Sequence, residues 1–256
     1  MTGARRRQHA WMAAGAGVVV LVAVAGLLEA ALRTGLLNRY IVPLPSEVVA
    51  SVPRIIAEEN IPERFLATFK ECLIAMLLVA GIGIPVGMLL FRLPRLRAAT
   101  ESWIAALAAA PIVLMYPLFL VMFGRSLETI VVMGLIAGLP PVILKTLEGF
   151  SGTRRVLVDV GRSLRLSALQ SFTKILLPAA LPTIFVGLRL GLIFCLINIV
   201  GVEFLINFGG LGQVINDLAE RYDLPGTYAA IGFVVLTSVL FFIATERIER
   251  WLRPHA

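Results

Sequence analysis

Three observations predict an all-α polytopic membrane protein: a single domain over residues 1–256, about six transmembrane helices and one long cytoplasmic loop of short helices. Apolar residues make up 59% of the chain, charged residues only 15%, and the mean hydropathy is +0.91. Soluble domains carry roughly a quarter charged residues. Apolar runs recur at about 11–32, 68–91, 101–123, 128–148, 182–206 and 228–245, each near the ~20 residues that cross a ~30 Å hydrocarbon core. Lysine and arginine are distributed unevenly among the segments that join these runs, as expected of a multi-pass chain.

The first run follows "RRRQHAWM" and continues to Leu28. It is longer than the core of a secretory signal and is read as an uncleaved span, although "AVA" resembles a cleavage site. Next comes "NRYIVPLPSEVVASVPRIIAEENIPERF", whose proline-rich opening excludes helix. Ser46 is then placed to cap a short amphipathic helix starting at Glu47 and lying on the outer surface. The second run carries Lys70 and Glu71 near its start. The third contains Pro111 and Pro117, each of which frees a backbone carbonyl and kinks a helix. Two readings stay open for them: prolines tolerated by a membrane helix, or a hinge lining a pathway. After the fifth run, "NFGGLGQVINDLAERYDLPG" joins a glycine-rich turn to a short polar helix.

Orientation follows from the basic residues. With the N-terminus inside, the inner segments hold Arg5, Arg6, Arg7, Arg92, Arg95, Arg97, Lys145, Arg154, Arg155, Arg162, Arg165, Lys174, Arg247, Arg250 and Arg253. The outer segments hold Arg33, Arg39, Arg54, Arg64, Arg125 and Arg221. Fifteen against six places both termini in the cytoplasm. The net charge of +7 is therefore topological. Nucleic-acid binding is not supported, because the basic residues do not share a face.

Enzyme chemistry finds no footing. His9 and His255 stand at the extreme termini, and Asp159, Asp217 and Asp223 fall in loops. No G-x-x-x-x-G-K-[ST] phosphate loop exists, since Lys70, Lys145 and Lys174 follow Phe69, Leu144 and Thr173. No catalytic residue and no metal site is assigned. Cys72 and Cys195 fall in apolar runs and are read as buried free thiols.

Polar groups inside spans are costly in lipid and face cavities or neighbouring helices. Glu203, near the outer end of the fifth run, is the leading pathway or gate candidate, with Asn198 one to two turns earlier. The alternative is an interfacial carboxylate that reaches water. Arg189 is expected to snorkel inward or to pair with a partner chain.

The cytoplasmic loop 149–181 is the longest inner segment. "SGTRRVLVDVGRSL" sets Val156, Val160 and Leu164 at i, i+4 and i+8, an apolar stripe on a basic helix. In "SALQSFTKILLP", Ser167 and Gln170 have capping-box spacing, so a second helix begins there. Leu169, Phe172, Ile175 and Leu176 form its apolar face, and Pro178 is expected to end or bend it. Such an elbow suits lipid headgroups or a groove on another protein equally well.

This loop resembles the EAA loop of ABC importer permeases, whose pattern is Glu-Ala-Ala, three residues, Gly, nine residues, Ile, one residue, Leu-Pro. Asp159, Val160 and Gly161 take the Glu-Ala-Ala places, Arg165 the Gly place, and Ile175, Leu177 and Pro178 match. Elsewhere "VPLPSEVVASV", "AAAPIVLMYPLFLVMFG", "LPAALPTIFVGLRLGL" and "GGLGQVI" are similar to the nitrate/sulfonate/taurine-type branch of that family. The resemblance implies a permease subunit in the bacterial inner membrane that forms the pathway for a small anionic solute. Nitrate, bicarbonate, sulfonates, taurine, aromatic acids and vitamin precursors are compatible solutes.

The implied partners are a second permease subunit, identical or different, two cytoplasmic ATPase subunits docked on the loops, an external solute-binding protein and the lipid bilayer. ATP and Mg belong to the ATPase, with no cofactor on this chain. Val156, Asp159, Val160, Gly161, Leu164, Arg165, Ser167, Ile175, Leu177 and Pro178 would couple to the ATPase. Pro111, Pro117, Asn198, Glu203, Gly210 and Gly212 would line the pathway or gate. Two residues depart from the pattern: Asp159 is shorter than Glu, and Arg165 replaces the elbow Gly. If that position needs positive φ, a non-glycine residue costs about 1 kcal/mol. Such a cost suggests a differently built elbow, or a heterodimer with a more regular permease. The rival reading is an ion-coupled secondary carrier in which Glu203, Glu71 or Glu29 carries a proton or ion.

Overall fold

The computed structural model describes the backbone of residues 3–252 and the side chains of 15–17 and 19–249. The side chains of Arg5, Arg6, Arg7, His9 and Arg250, together with Arg253 and His255, lie outside the described residues. The elements are α1 (Gly3–Arg33), α2 (Pro45–Glu58), α3 (Ile61–Arg92), α4 (Pro94–Ala109), a 3-10 turn (Ile112–Met115), α5 (Tyr116–Phe123) and α6 (Leu127–Ser151). After them come α7 (Arg155–Ser163), α8 (Ala168–Ser171), a π-turn (Phe172–Leu176), α9 (Leu177–Ile206), α10 (Leu211–Glu220) and α11 (Leu224–Leu252).

Three helices make the core, with α6 between α3 and α9. Cys72, Ala75 and Val79 of α3, Ile130 and Met133 of α6, and Cys195, Ile199 and Val202 of α9 are fully or nearly fully buried together. Small residues set the spacing. A Cβ on Gly138 would stand 2.5 Å from Cys195 Sγ, and one on Gly87 would stand 2.7 Å from Ile143 O. Such close backbone approach is the usual driver of helix association in lipid, where apolar burial gives little net gain. Cys72 and Cys195 are buried free thiols, and Cys195 Sγ donates to Gly134 O at 3.1 Å. The other surfaces of the bundle stay apolar and exposed, as suits a chain solvated by acyl chains.

Among the described residues, five helices are long and apolar enough to cross a membrane, and a bent pair supplies a sixth. That pair corrects the third predicted span, 101–123. Instead of one kinked helix, the chain runs through α4, breaks at Ala110–Pro111 and turns by 88° into the 3-10 turn and α5. Ala110 is extended, as the residue before a proline prefers. Pro117 occupies the first turn of α5, where a missing N–H costs nothing. The second span also starts earlier than residue 68, since α3 begins at Ile61.

Two end-of-helix expectations are corrected as well. Ser46 does not cap α2. The helix starts at Pro45 behind Leu44, whose N–H donates to Glu47 Oε2 at 3.2 Å. Ser46 instead donates through its N–H and hydroxyl to Glu29 at 3.0 and 2.7 Å, which ties α2 to the end of α1. Arg189 pairs with Glu249 of its own α11, beneath the Phe242 ring, so it needs no partner chain.

Candidate functional site

The loop between α6 and α9 forms an elbow. α7 ends in a helix-terminating turn that satisfies its last carbonyls: Arg165 N–H donates to Arg162 O at 2.9 Å and Leu166 N–H to Gly161 O at 3.0 Å. This turn requires a left-handed residue, and Arg165 supplies it with φ +51°. The departure at the elbow glycine is therefore a strained arginine in glycine's backbone conformation, with its side chain exposed. Ser167 then opens the second arm by the capping box read from the sequence, its N–H donating to Gln170 Oε1 at 2.9 Å and its hydroxyl accepting from Gln170 N–H at 3.3 Å.

The second arm does not stop at Pro178. Ala168 to Ile206 run as one helical path, and the π-turn at Phe172–Leu176 absorbs the proline in place of a break. A widened turn re-registers the hydrogen bonds where a proline offers no N–H. The elbow is thus a direct extension of a core helix.

The candidate coupling residues divide by environment. Val156, Val160 and Leu164 are 63%, 49% and 67% exposed, so the apolar stripe faces away from the bundle. Asp159 sits on the same outer side and holds Arg162 at 3.3 Å. Gly161 is buried, and Ile175 lies over it. Leu177 packs with Leu176 and Phe172 around Phe150, Ala180 and Ile184, while Pro178 stays exposed. Stacked rings link the arm to the core helices: Phe172 to Phe150 at 5.8 Å and Phe150 to Phe91 at 5.5 Å, with Arg92 over Phe172 at 5.6 Å. Packed side chains thus join the arm after α7 to the ends of α3, α6 and α9.

A polar cluster stands at the opposite end of α9. Glu203 is fully buried, and its carboxylate serves the start of α10: Oε2 accepts from Gly212 N–H at 2.7 Å. Thr68 donates to Glu203 Oε1 at 2.7 Å and accepts from Leu211 N–H at 2.9 Å. Carboxylate oxygens suit the exposed N–H groups of a helix start. Gly210 and Gly212 have no room for a Cβ, which would overlap Thr68 Oγ1 at one and Val200 O at the other. Arg64 donates to Gly209 O at 2.7 Å and Gln213 Oε1 at 2.6 Å, and Arg125 donates to Asn207 O.

Glu203, Gly210 and Gly212 thus meet in one place, while Pro111, Pro117 and Asn198 do not join them. Glu203 is not an interfacial carboxylate open to water. Pro111 and Pro117 lie on the bent segment, whose Val113 packs beside Gly201. Asn198 donates to Phe194 O at 2.9 Å, and its buried Oδ1 lacks a partner. Sequence reasoning misses Arg64 and Thr68 as members of this site and offers Glu71 only as a possible carrier residue. The signal available is their spacing: 64, 68 and 71 form one polar stripe on an apolar helix.

A family profile described as binding-protein-dependent transport system inner membrane component matches residues 80–254. The chain is 25% identical over 215 residues to the formylaminopyrimidine transport permease protein ThiX of Halalkalibacterium halodurans, covering 84% of this chain and 86% of that one. It is 24% identical over 247 residues to the putative aliphatic sulfonates transport permease protein SsuC of Bacillus subtilis, covering 96% and 88%. The taurine transport system permease protein TauC of Escherichia coli is 24% identical over 224 residues, covering 86% and 82%. Among solved structures, the methionine ABC transporter MetNI in inward-facing conformations matches with a TM-score of 0.65 at 20% identity. That match covers 74% of this chain and 94% of the matched one.

Proposed function

Because the chain belongs to the family of binding-protein-dependent transport system inner membrane components, we propose that α7 is its docking element for an ATPase and that the solute is a small anion. The chain is an ABC importer permease subunit embedded in the membrane, not an enzyme, and a partner ATPase hydrolyses the ATP. ABC importers of this family work with an ATPase and a solute-binding protein. The ion-coupled carrier reading is set aside with that membership.

One observation carries the docking proposal: an exposed apolar stripe, Val156, Val160 and Leu164, rides on an elbow tied by Gly161, Ile175 and Phe172 to core helices. An apolar stripe on a short helix fits a groove on a partner. ATP and Mg stay on that partner, and each of two permease chains engages one ATPase subunit on the cytoplasmic side. Both termini lie on that side of the bacterial inner membrane. The cluster around Glu203 then sits outside, where Gly210 and Gly212 let α10 close on α9 next to an external binding protein. Pro111 and Pro117, both exposed, face the second permease chain or the pathway, while Asn198 lies buried behind them within the chain.

The anionic solute rests on relatives named for sulfonates and taurine that cover most of the chain. Nitrate, bicarbonate, sulfonates, taurine, aromatic acids and vitamin precursors stay as candidate solutes, the last in keeping with the relative named for formylaminopyrimidine. Leu164→Ala tests the docking element. Truncating a buried interface anchor costs about 2 kcal/mol, roughly thirtyfold in affinity. ATPase co-purification and solute uptake should fall together, and unchanged association would remove α7 from the interface. Binding assays on the cognate external protein, run with sulfonates, taurine and a cationic control, test the solute class.

A further inference from the structure

We propose that the groove between the end of α3 and the second arm of the elbow binds an anionic phospholipid of the inner leaflet. The phosphate sits on Arg92, and the first methylenes lie against Phe91, Leu169 and Leu176. The inference goes beyond ATPase docking, which concerns α7, and rests on that reading only in naming the leaflet.

The groove has a volume of about 410 Å3. Phe91 and Arg92 of α3, Ala168 and Leu169 of α8, and Phe172 and Leu176 of the π-turn line it. A third ring holds its two aromatic walls in place. Phe150, 2% exposed, stacks with both, 5.5 Å from Phe91 and 5.8 Å from Phe172. The Arg92 guanidinium lies over the Phe172 ring at 5.6 Å, so the positive charge is kept at the groove.

Depth points to lipid. From Cys72 to Phe91, α3 carries no charged side chain, a stretch about 30 Å long at 1.5 Å per residue. That length matches the ~30 Å hydrocarbon core, so Arg92 stands where the headgroups begin. Leu169, lining the same groove, is 72% exposed. Water solvates the leucine poorly and acyl chains solvate the arginine poorly. The boundary between headgroup and chain solvates both.

Charge selects the kind of lipid. Arg97, Lys145, Arg162 and Arg189 on this side each pair with an acid of the chain. Arg92 is exposed and has no carboxylate partner among the described residues. A basic pocket between membrane helices on the cytoplasmic side suits an anionic headgroup. A zwitterionic lipid carries its own cation beside the phosphate and gains less from the arginine.

The test uses the permease–ATPase complex in detergent, titrated with phosphatidylglycerol or phosphatidylcholine, with retained lipid counted by native mass spectrometry. Phosphatidylglycerol should bind about fivefold or more tightly than phosphatidylcholine, the effect of one arginine near an anionic surface. Arg92→Gln should abolish that preference. Arg95→Gln removes an exposed charge outside the groove and should keep the preference within about twofold. Ala168→Trp fills the groove with Arg92 in place and should weaken phosphatidylglycerol binding about fivefold or more. Glycerol 3-phosphate, a headgroup phosphate without acyl chains, should not compete. Equal binding of the two lipids overturns the proposal. So does equal loss in Arg92→Gln and Arg95→Gln, the mark of a diffuse basic surface, or competition by glycerol 3-phosphate, the mark of a bare anion site. Weaker ATPase association in Arg92→Gln with phosphatidylglycerol binding unchanged overturns it too, and makes the ATPase the groove's occupant. If Arg92→Gln does not assemble, Ala168→Trp decides, and binding equal to the parent's overturns the proposal. Lipid binding in detergent does not depend on sidedness or on α7, so orientation or docking could fail while this site survives, and the reverse.

Discussion

Gly161 lies directly beneath Ile175: a Cβ added at residue 161 would stand 2.5 Å from Ile175 Cδ1. This contact closes the angle between α7 and the arm that continues into α9. Gly161→Leu should wedge the elbow open, an overpacking that typically costs 1–3 kcal/mol. ATPase association should fall by about tenfold or more. Ile175→Ala in the same chain should restore much of the loss by vacating the space. Size-exclusion co-elution with the ATPase measures both, and a double variant no better than Gly161→Leu would place the damage elsewhere.

Arg165 and Tyr222 take up the same strained position at the ends of α7 and α10, with φ +51° and +58°. Both helices end in the same pair of hydrogen bonds, Tyr222 N–H to Ala219 O and Asp223 N–H to Leu218 O repeating the elbow turn. Glycine removes the steric cost of a left-handed residue, so Arg165→Gly and Tyr222→Gly should each stabilise the fold by about 1 kcal/mol. Thermal unfolding of the purified permease reads this directly. Arg165→Gly separates strain from recognition. If the guanidinium meets an ATPase carboxylate, the variant is more stable yet binds the ATPase less well, and the defect shrinks in high salt.

Two ion pairs pin α2 to the turn before α11: Arg54 to Asp223 at 2.5 Å and Arg221 to Glu59 at 2.7 Å. Hydrogen bonds that the guanidinium groups donate to these carboxylates, then the carboxylate charge, hold both above the ordinary arginine value. A raised folded value contributes stability in full below the unfolded one and loses it only as pH rises through the folded one. For arginine that window lies far above neutrality. The midpoint difference between wild type and the Arg54→Ala, Arg221→Ala double variant should therefore be equal at about pH 7 and about pH 9. It should shrink in high salt, because exposed pairs are screened. A difference that vanished at the higher pH would assign the effect to another group.

Cysteine labelling in a chain lacking Cys72 and Cys195 checks orientation. Arg95→Cys and Arg155→Cys should react only from the cytoplasmic side, and Glu58→Cys and Tyr222→Cys only from outside. All four positions are exposed. Outside labelling at 155 would reverse the chain and move α7 away from any ATPase.

Much of this was legible in the residues because lipid leaves few choices. A run of about 20 apolar residues must satisfy its own backbone, so spans 128–148 and 228–245 lie within α6 and α11 with no tertiary information needed. The elbow was legible for another local reason: Ser167 and Gln170 cap within one turn, and positive φ at Arg165 follows from how a helix ends. Local spacing could not fix what distant segments decide. The 88° break after Ala110 depends on burying Ile112 against the core, and helix 168–206 runs past Pro178 because a π-turn absorbs the proline.

The pairing of Glu203 with Thr68, 135 residues apart in sequence, was beyond any periodicity. Each of these side chains, read alone, is a costly polar group in an apolar helix. Only when α3 and α9 are packed does one carboxylate find the free N–H groups of α10 and a second acid beside it. Sequence determined where the chain must be helical and apolar, since those are local demands of a solvent without hydrogen bonds. Tertiary structure decided which buried polar groups meet, because their cost is relieved only by partners the chain brings from elsewhere.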